Sequence, residues 1–234
     1  MFIAIMLIAF PFIIMATPFG IKGGNFIYKV CYAWAKIWYI TIGIKHKEIY
    51  KANHTKKKQY IFVANHISYM DIPPIVLAIK QPIRVLGKYE MVKIPIFGLI
   101  YRSAVILVNR KNAATRAKSV RALKAALNKG ISLFIFPEGT FNQTNKPLKD
   151  FYDGAFKIAI ETQTNIKPIL FIDTVKRLHY KSIFSLTPGK CRVIYLEEVN
   201  VKNLTLADIN TLKQQVYTIM EKALIEYNYP SFKS

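Results

Sequence analysis

The sequence predicts an α/β protein with a mostly parallel central sheet flanked by helices, led by an apolar and amphipathic helical segment at its N-terminus. Three observations predict this. Short apolar runs at 60–64 and 131–136 alternate with stretches of helical periodicity, the pattern of an α/β layer. Residues 1–21 contain no charged side chain, and Lys22 is the first. The 234 residues are 52% hydrophobic yet carry 34 Lys+Arg against 13 Asp+Glu, a formal charge of +21. That length suits one domain plus an appendage. A basic excess of this size implies an anionic partner, whether nucleic acid, anionic lipid or a phosphorylated substrate.

A helix over residues 1–21 covers roughly 31 Å, about the hydrocarbon core of a bilayer. Pro11 and Pro18 interrupt it, so a kinked or re-entrant helix competes with a straight span. A signal peptide fits less well, because no basic stretch precedes the apolar run. Lys22, Lys29 and Lys36 recur every seven residues, within about 40° of one another on a helix. Around them lie Phe26, Tyr28, Tyr32, Trp34, Trp38 and Tyr39, which describes a helix lying among lipid headgroups. Residues 1–45 are therefore expected to bind anionic membrane lipids, and residues 46–234 to form the α/β domain. Up to residue 60 there are nine Lys and one acid, Glu48, a bias that places the domain at the cell membrane on its cytoplasmic face.

Within the domain the sequence predicts strand 60–64, helix 68–79, strand 83–86, a short helix near 90–99 and strand 104–109. Helix 113–128 follows, stopped by Gly130. Strand 131–136, helix 153–162, strand 166–172 and strand 191–196 complete the sheet. Helix 205–227 closes the chain, with Thr205 and Asp208 as its capping box. Cys31 and Cys191 have no partner motif, so neither a disulfide nor a metal cluster is expected, and a reducing compartment is the default. His46, His54 and His179 have no metal-ligand spacing either.

The stretch Asn65-His66-Ile67-Ser68-Tyr69-Met70-Asp71 stands directly after the apolar run 60–64. Imidazole takes and gives protons near neutrality, and a carboxylate beside it fixes its tautomer and stabilises the imidazolium. Five residues of regular helix separate His66 and Asp71 by about 140°, so the two meet only if the chain turns between them. A satisfied polar pair at a strand end is the plain alternative.

Asn-His-x-Ser-x-x-Asp resembles the first signature block of the glycerolipid acyltransferase family. Three further stretches resemble the family's later blocks, in order. They are Lys88-Tyr89-Glu90-Met91 through Val108-Asn109-Arg110, then Phe136-Pro137-Glu138-Gly139-Thr140, then Ile166-Lys167-Pro168-Ile169. The resemblance spans roughly residues 60–172 and implies the acyltransferase fold. It also implies an O-acyltransferase that moves a fatty acyl group from a thioester to the free hydroxyl of lysophosphatidic acid, giving phosphatidic acid in phospholipid synthesis. His66 is then the base, Asp71 its orienting carboxylate, and Glu138 a group that positions the hydroxyl. Backbone N–H groups of the Glu138-Gly139-Thr140 turn are candidate oxyanion donors. Asn65, Ser68, Lys88, Arg110, Pro137 and Thr140 are candidate substrate-binding positions, Arg110 and Lys88 for phosphate; Ser68 also reads as a helix cap. No bound cofactor is expected, since acyl-CoA or acyl-carrier protein enters as a substrate.

Two departures from the family pattern stand out. Asn109 replaces the usual Asp before Arg110, and Phe141 stands where the family commonly has Arg. Phe141 cannot bind an anion. Either Arg110 and Lys88, with Lys149 or Lys157, hold the phosphate, or the acceptor is another lyso-lipid, such as an amino-acid-linked one, or glycerol-3-phosphate. Residues 94–100 are apolar and could line an acyl tunnel or a plain core. Nucleic acid is not an expected partner, because the basic residues crowd the apolar N-terminal segment and no nucleic-acid module is present. A non-catalytic membrane scaffold would have little need for His66, Asp71 and Glu138 together.

Overall fold

The computed structural model describes residues 2–55, 58–94, 98, 101–102, 105–108, 113–182 and 184–227. Two helices come first, α1 (Phe2–Ala16) and α2 (Gly20–Thr41), followed by β1 (Ile44–Tyr50) and β2 (Ile61–Ala64). Then come α3 (Ile72–Ala78), β3 (Ile83–Lys88), β4 (Val105–Val108), α4 (Ala113–Asn128) and β5 (Ser132–Ile135). The chain continues through α5 (Gly154–Thr162), β6 (Ile166–Phe171), α6 (Thr174–Arg177) and β7 (Gly189–Tyr195) to α7 (Ile209–Glu226). The strands form one sheet in the order β1-β7-β6-β2-β5-β3-β4, parallel at every described pairing except β6 with β7. This is the α/β architecture that the alternating pattern predicts.

Alternation along β2 explains the two layers. Successive side chains of a strand point to opposite faces. Ile61 and Val63 join Leu133, Ile135, Phe156, Leu212, Val216 and Met220 under α4, α5 and α7. Phe62 and Ala64 join Phe134, Phe171, Val193 and Tyr195 under Ile75, Ala78 and Ile79 of α3 and its end. β2 thus sits mid-sheet, buried on both faces, and its C-terminal end is a rigid base for whatever follows. α4 stops as expected. Gly130 takes φ +73°, its N–H bonds Leu127 O at 2.8 Å, and Ile131 N–H bonds Ala126 O at 3.1 Å. The Thr205–Asp208 capping box forms in front of α7.

The N-terminal segment differs from its sequence reading in two ways. Pro11 lies inside α1 without ending it, whereas Pro18 does interrupt the helix, sitting in the 3-10 turn Thr17–Phe19 just before Gly20. Met6, Ile13 and Ala16 of α1 then close on Ile27, with Val30 and Cys31 of α2 beside them. Lys22, Lys29 and Lys36 are all exposed, as the lysine stripe requires. The aromatics are divided: Trp38 and Tyr39 are buried with Met70, Leu77, Leu178 and Cys191 rather than facing outward. Tyr39 Oη donates to Cys191 Sγ at 3.3 Å. An amphipathic helix shows one apolar face in sequence, and here the protein covers part of it.

Besides the one-turn helix α6, the sequence reading missed the strand β1. Lys45, His46, Lys47 and Glu48 fill its middle, and it pairs with β7 alone, at the sheet edge.

Candidate active site

Asn65 closes β2 by acting as a further rung of the sheet. Its Nδ2 donates to Phe171 O at 2.9 Å and its Oδ1 accepts from Phe171 N at 2.8 Å. This fixes the exit of the chain from the strand, and His66 is the next residue. The segment then makes a 3-10 turn, Tyr69–Asp71, instead of regular helix. Ser68 caps that turn, accepting from Met70 N at 3.0 Å, and its hydroxyl also donates to Leu178 O. The tighter turn brings Asp71 back towards the strand end. His66 Nδ1 lies 2.9 Å from Asp71 Oδ2. The same oxygen accepts from Ile67 N at 2.7 Å and Ser68 N at 2.9 Å.

Three N–H groups therefore converge on one carboxylate oxygen, and Asp71 is fully buried. Bonded in this way, Nδ1 carries the proton and Nε2 presents its lone pair. Nε2 makes no hydrogen bond to a described residue. The imidazole plane is fixed by two aromatic rings: Phe136 stacks on it at 3.8 Å, and Phe141 meets it edge-on at 4.5 Å. Tyr69 packs edge-on against Phe141 at 4.9 Å.

The strand register brings the loop after β5 alongside. Val63 pairs with Ile135, so three residues further on His66 stands level with Glu138. Glu138 is buried and bridges two main chains: Oε1 accepts from His66 N at 2.8 Å and Oε2 from Lys149 N at 2.8 Å. Burial pushes its carboxyl up to about 8, and nearby Asp71 adds to the rise; the two N–H bonds and the Lys149 charge pull the other way. Asn142 N–H donates to His66 O at 2.7 Å, a second tie between the loops.

Of the three N–H groups expected as oxyanion donors, that of Gly139 is engaged within the turn. It bonds Phe136 O at 3.0 Å, closing a turn in which Gly139 takes φ +71°. The position needs glycine for its backbone, since other residues are strained at that φ. Pro137 is buried, and its carbonyl accepts from Tyr152 N at 2.9 Å. Asn65, Ser68 and Pro137, expected at substrate, thus lie beneath the site with their polar groups bonded to protein. Thr140 is exposed at the rim, and its Oγ1 accepts from Lys149 Nζ at 2.9 Å.

Lys88 is exposed at the end of β3, two strands from β2 on the same rim. The pairing of Ile83 with Ser132 extends to put Lys88 level with Pro137. Arg110 lies outside the described residues, as does most of the 94–100 run. Lys157 is exposed on α5. Sequence reasoning missed the stacking of Phe136 on His66 and the Glu138 bridge to Lys149. Neither carries a periodic signal.

The acyltransferase family model matches residues 45–172, from β1 through the end of β6. The chain belongs to the acyltransferase family. This acyltransferase is 30% identical over 186 residues to the 1-acyl-sn-glycerol-3-phosphate acyltransferase of Borreliella burgdorferi, covering 76% of this chain and 74% of that one. It is also 30% identical over 196 residues to a chloroplast 1-acyl-sn-glycerol-3-phosphate acyltransferase of Arabidopsis thaliana. That match takes in 82% of this chain and 53% of the plant protein, so the acyltransferase spans about half the plant protein's length. The crystal structure of the 1-acyl-sn-glycerophosphate acyltransferase PlsC from Thermotoga maritima superposes with a TM-score of 0.70. It covers 98% of this chain and 99% of that one at 21% identity, which shows a shared fold.

Proposed function

We propose that this acyltransferase transfers a fatty acyl group from acyl-CoA or acyl-carrier protein to the free hydroxyl of lysophosphatidic acid, giving phosphatidic acid. The observation that carries the reading is the His66–Asp71 pair at 2.9 Å, with the imidazole gripped between Phe136 and Phe141 and Nε2 open. Nε2 takes the proton of the acceptor hydroxyl as its oxygen attacks the thioester carbonyl carbon. The negative charge of Asp71 stabilises the imidazolium. When the C–S bond breaks, the same proton passes to the departing sulfur, and His66 is restored. Glu138 acts by holding the His66 and Lys149 main chains in register, and Thr140 and Lys88 line the rim where the acceptor headgroup enters. The names of the relatives from Borreliella and Arabidopsis support lysophosphatidate as acceptor.

The reading places the enzyme at a membrane through its first 45 residues, with 46–234 as the catalytic part. Ala4–Thr41 forms an apolar helical stretch long enough to cross a bilayer. The break at Thr17–Gly20 and the closure of α1 on α2 favour a hairpin seated in one leaflet. α1, at 15 residues, measures about 22 Å and is short of a 30 Å core. Phe12, Met15 and Phe19 are exposed at the hairpin's tip, and the lysine stripe suits anionic headgroups on the cytoplasmic side.

A specific observation keeps a second acceptor in view. Phe141 replaces a cation with an apolar edge against His66, which would suit a lyso-lipid without a phosphomonoester. Purified enzyme in detergent, given lysophosphatidate and an acyl thioester, is expected to form phosphatidate detectable by mass spectrometry. No phosphatidate, with product from an amino-acid-linked lyso-lipid instead, would replace the first acceptor by the second.

A further inference from the structure

The pocket walled by Phe141 has the composition of an anion site, and its cation comes from a position outside the sequence blocks. A cavity of about 470 Å³ is lined by Thr140, Phe141, Gln143, Thr144 and Lys149. Its polar lining consists of an ammonium, two hydroxyls and a side-chain amide, with no carboxylate. Phe141 is the wall it shares with His66, to which the ring packs edge-on at 4.5 Å. Among the described residues no carboxylate lies within ion-pair distance of Lys149 Nζ, whose hydrogen-bond partner is Thr140 Oγ1 at 2.9 Å.

The main chain of Lys149 is also tied to that of His66. Its own N–H and that of His66 bond the two oxygens of one buried carboxylate, Glu138, at 2.8 Å each. Two main-chain nitrogens bridged in this way stand within about 8 Å of each other. The loop between is stiffened by Asn142, whose Oδ1 accepts from Thr144 N at 3.0 Å and from Thr144 Oγ1 at 2.6 Å. In lysophosphatidate the free hydroxyl and the phosphate are a few bonds apart, so a hydroxyl at His66 Nε2 keeps its phosphate within a few ångströms of the site, a range that suits this neighbouring pocket.

We infer that Lys149, with Thr140, binds the phosphomonoester of the acceptor and takes over the charge neutralisation that Phe141 cannot provide. The inference rests on lysophosphatidate being the acceptor. A lysine serves here as a point charge without the planar fork of arginine. The same phosphate chemistry occurs in the nucleotide part of coenzyme A, so the test must separate acceptor from donor.

Steady-state kinetics of Lys149→Ala and Lys149→Arg do so. With lysophosphatidate, Lys149→Ala is expected to raise KM by about 10- to 100-fold, a charge-assisted contact's worth, with kcat changed less than threefold. Lys149→Arg is expected to restore most of the loss. With a monoacylglycerol acceptor, which lacks the phosphate, KM is expected to be the same in all three proteins. An unchanged KM for lysophosphatidate would overturn the inference, as would an equal rise for both acceptors, which would mark a loop defect. A rise confined to acyl-CoA, and absent with acyl-pantetheine, would assign Lys149 to the donor and overturn it too. If the unaltered enzyme ignores lysophosphatidate, the acceptor reading fails by itself. Calorimetry with sn-glycerol 3-phosphate then still decides the anion site: binding lost in Lys149→Ala upholds it, and equal or absent binding in both proteins ends it.

Discussion

The loops that follow β2 and β5 meet at one site but are built in opposite ways. The β2 loop turns its polar groups inward. Asn65, Ser68 and Asp71 are buried and spend their side chains on Phe171, Met70, Leu178, Ile67 and His66. The β5 loop buries Glu138 and then opens, leaving Thr140, Gln143 and Thr144 exposed around a cavity. A base must hold one orientation to within a fraction of an ångström, and the bonds converging on Asp71 Oδ2 supply that, although Asp71 Oδ1 is buried without a partner among the described residues. A headgroup pocket needs access, and apart from Phe141, which also touches the imidazole, its lining can change without disturbing the base. Phe141, in the open loop, is where this chain departs from the family's arginine.

If that contrast is right, changes in the closed loop should cost chemistry and stability, and changes in the open loop should move acceptor preference. The largest effect is expected from His66→Ala, a fall in kcat of about 10³-fold, read by acyl-transfer assay on a protein with unchanged circular dichroism. Next comes Glu138→Ala, which leaves two buried N–H groups without acceptors and is expected to cost ~2–4 kcal/mol by urea denaturation. The same residue gives a pH test. Its folded pKa is raised from 4.5 to about 8, so the folded state holds the proton more tightly. The associated stability is fully present below pH 4.5 and is lost as the pH rises to 8. Melting temperature is expected to fall over that window more steeply in the unaltered enzyme than in Glu138→Gln; parallel curves would contradict the assignment.

Ser68→Ala should be milder on chemistry but visible in stability, about 1–2 kcal/mol, since it removes a cap and a buried partner of Met70 N–H. The smallest effect is expected from Phe141→Arg. Losing an edge-on ring contact worth about 0.5–1.5 kcal/mol lowers kcat by roughly 2- to 10-fold. The added cation lowers KM for lysophosphatidate, and an unchanged KM would mean that the open loop does not read the headgroup.

The same contrast explains how far the sequence could be read. β2, β5 and β6 were legible because a short, mostly apolar run bounded by turn residues has few other uses, even with Ser132 in β5 and Lys167 in β6. β1 was not, because an edge strand paired on one side can carry Lys45, His46, Lys47 and Glu48, and its partner β7 lies far along the chain. His66 and Asp71 were both legible by type and spacing. Their meeting was not, because helical geometry would hold them apart and only the 3-10 turn unites them. Trp38 and Tyr39 went to the protein rather than to lipid because an apolar helix face does not name what covers it. The bridge from Glu138 to Lys149 follows from the path of the β5 loop, which leaves no pattern in the sequence.

The central claim is that His66 and Asp71 act as one unit, and a double-mutant cycle on kcat tests it most directly. His66→Ala, Asp71→Asn and the double variant would be assayed with lysophosphatidate and one acyl thioester. The expected result is that the double variant is no slower than His66→Ala alone, because Asp71 works only through the imidazole. Losses that multiply would mean that the two residues act independently, and would contradict the pairing on which this account of the chemistry depends.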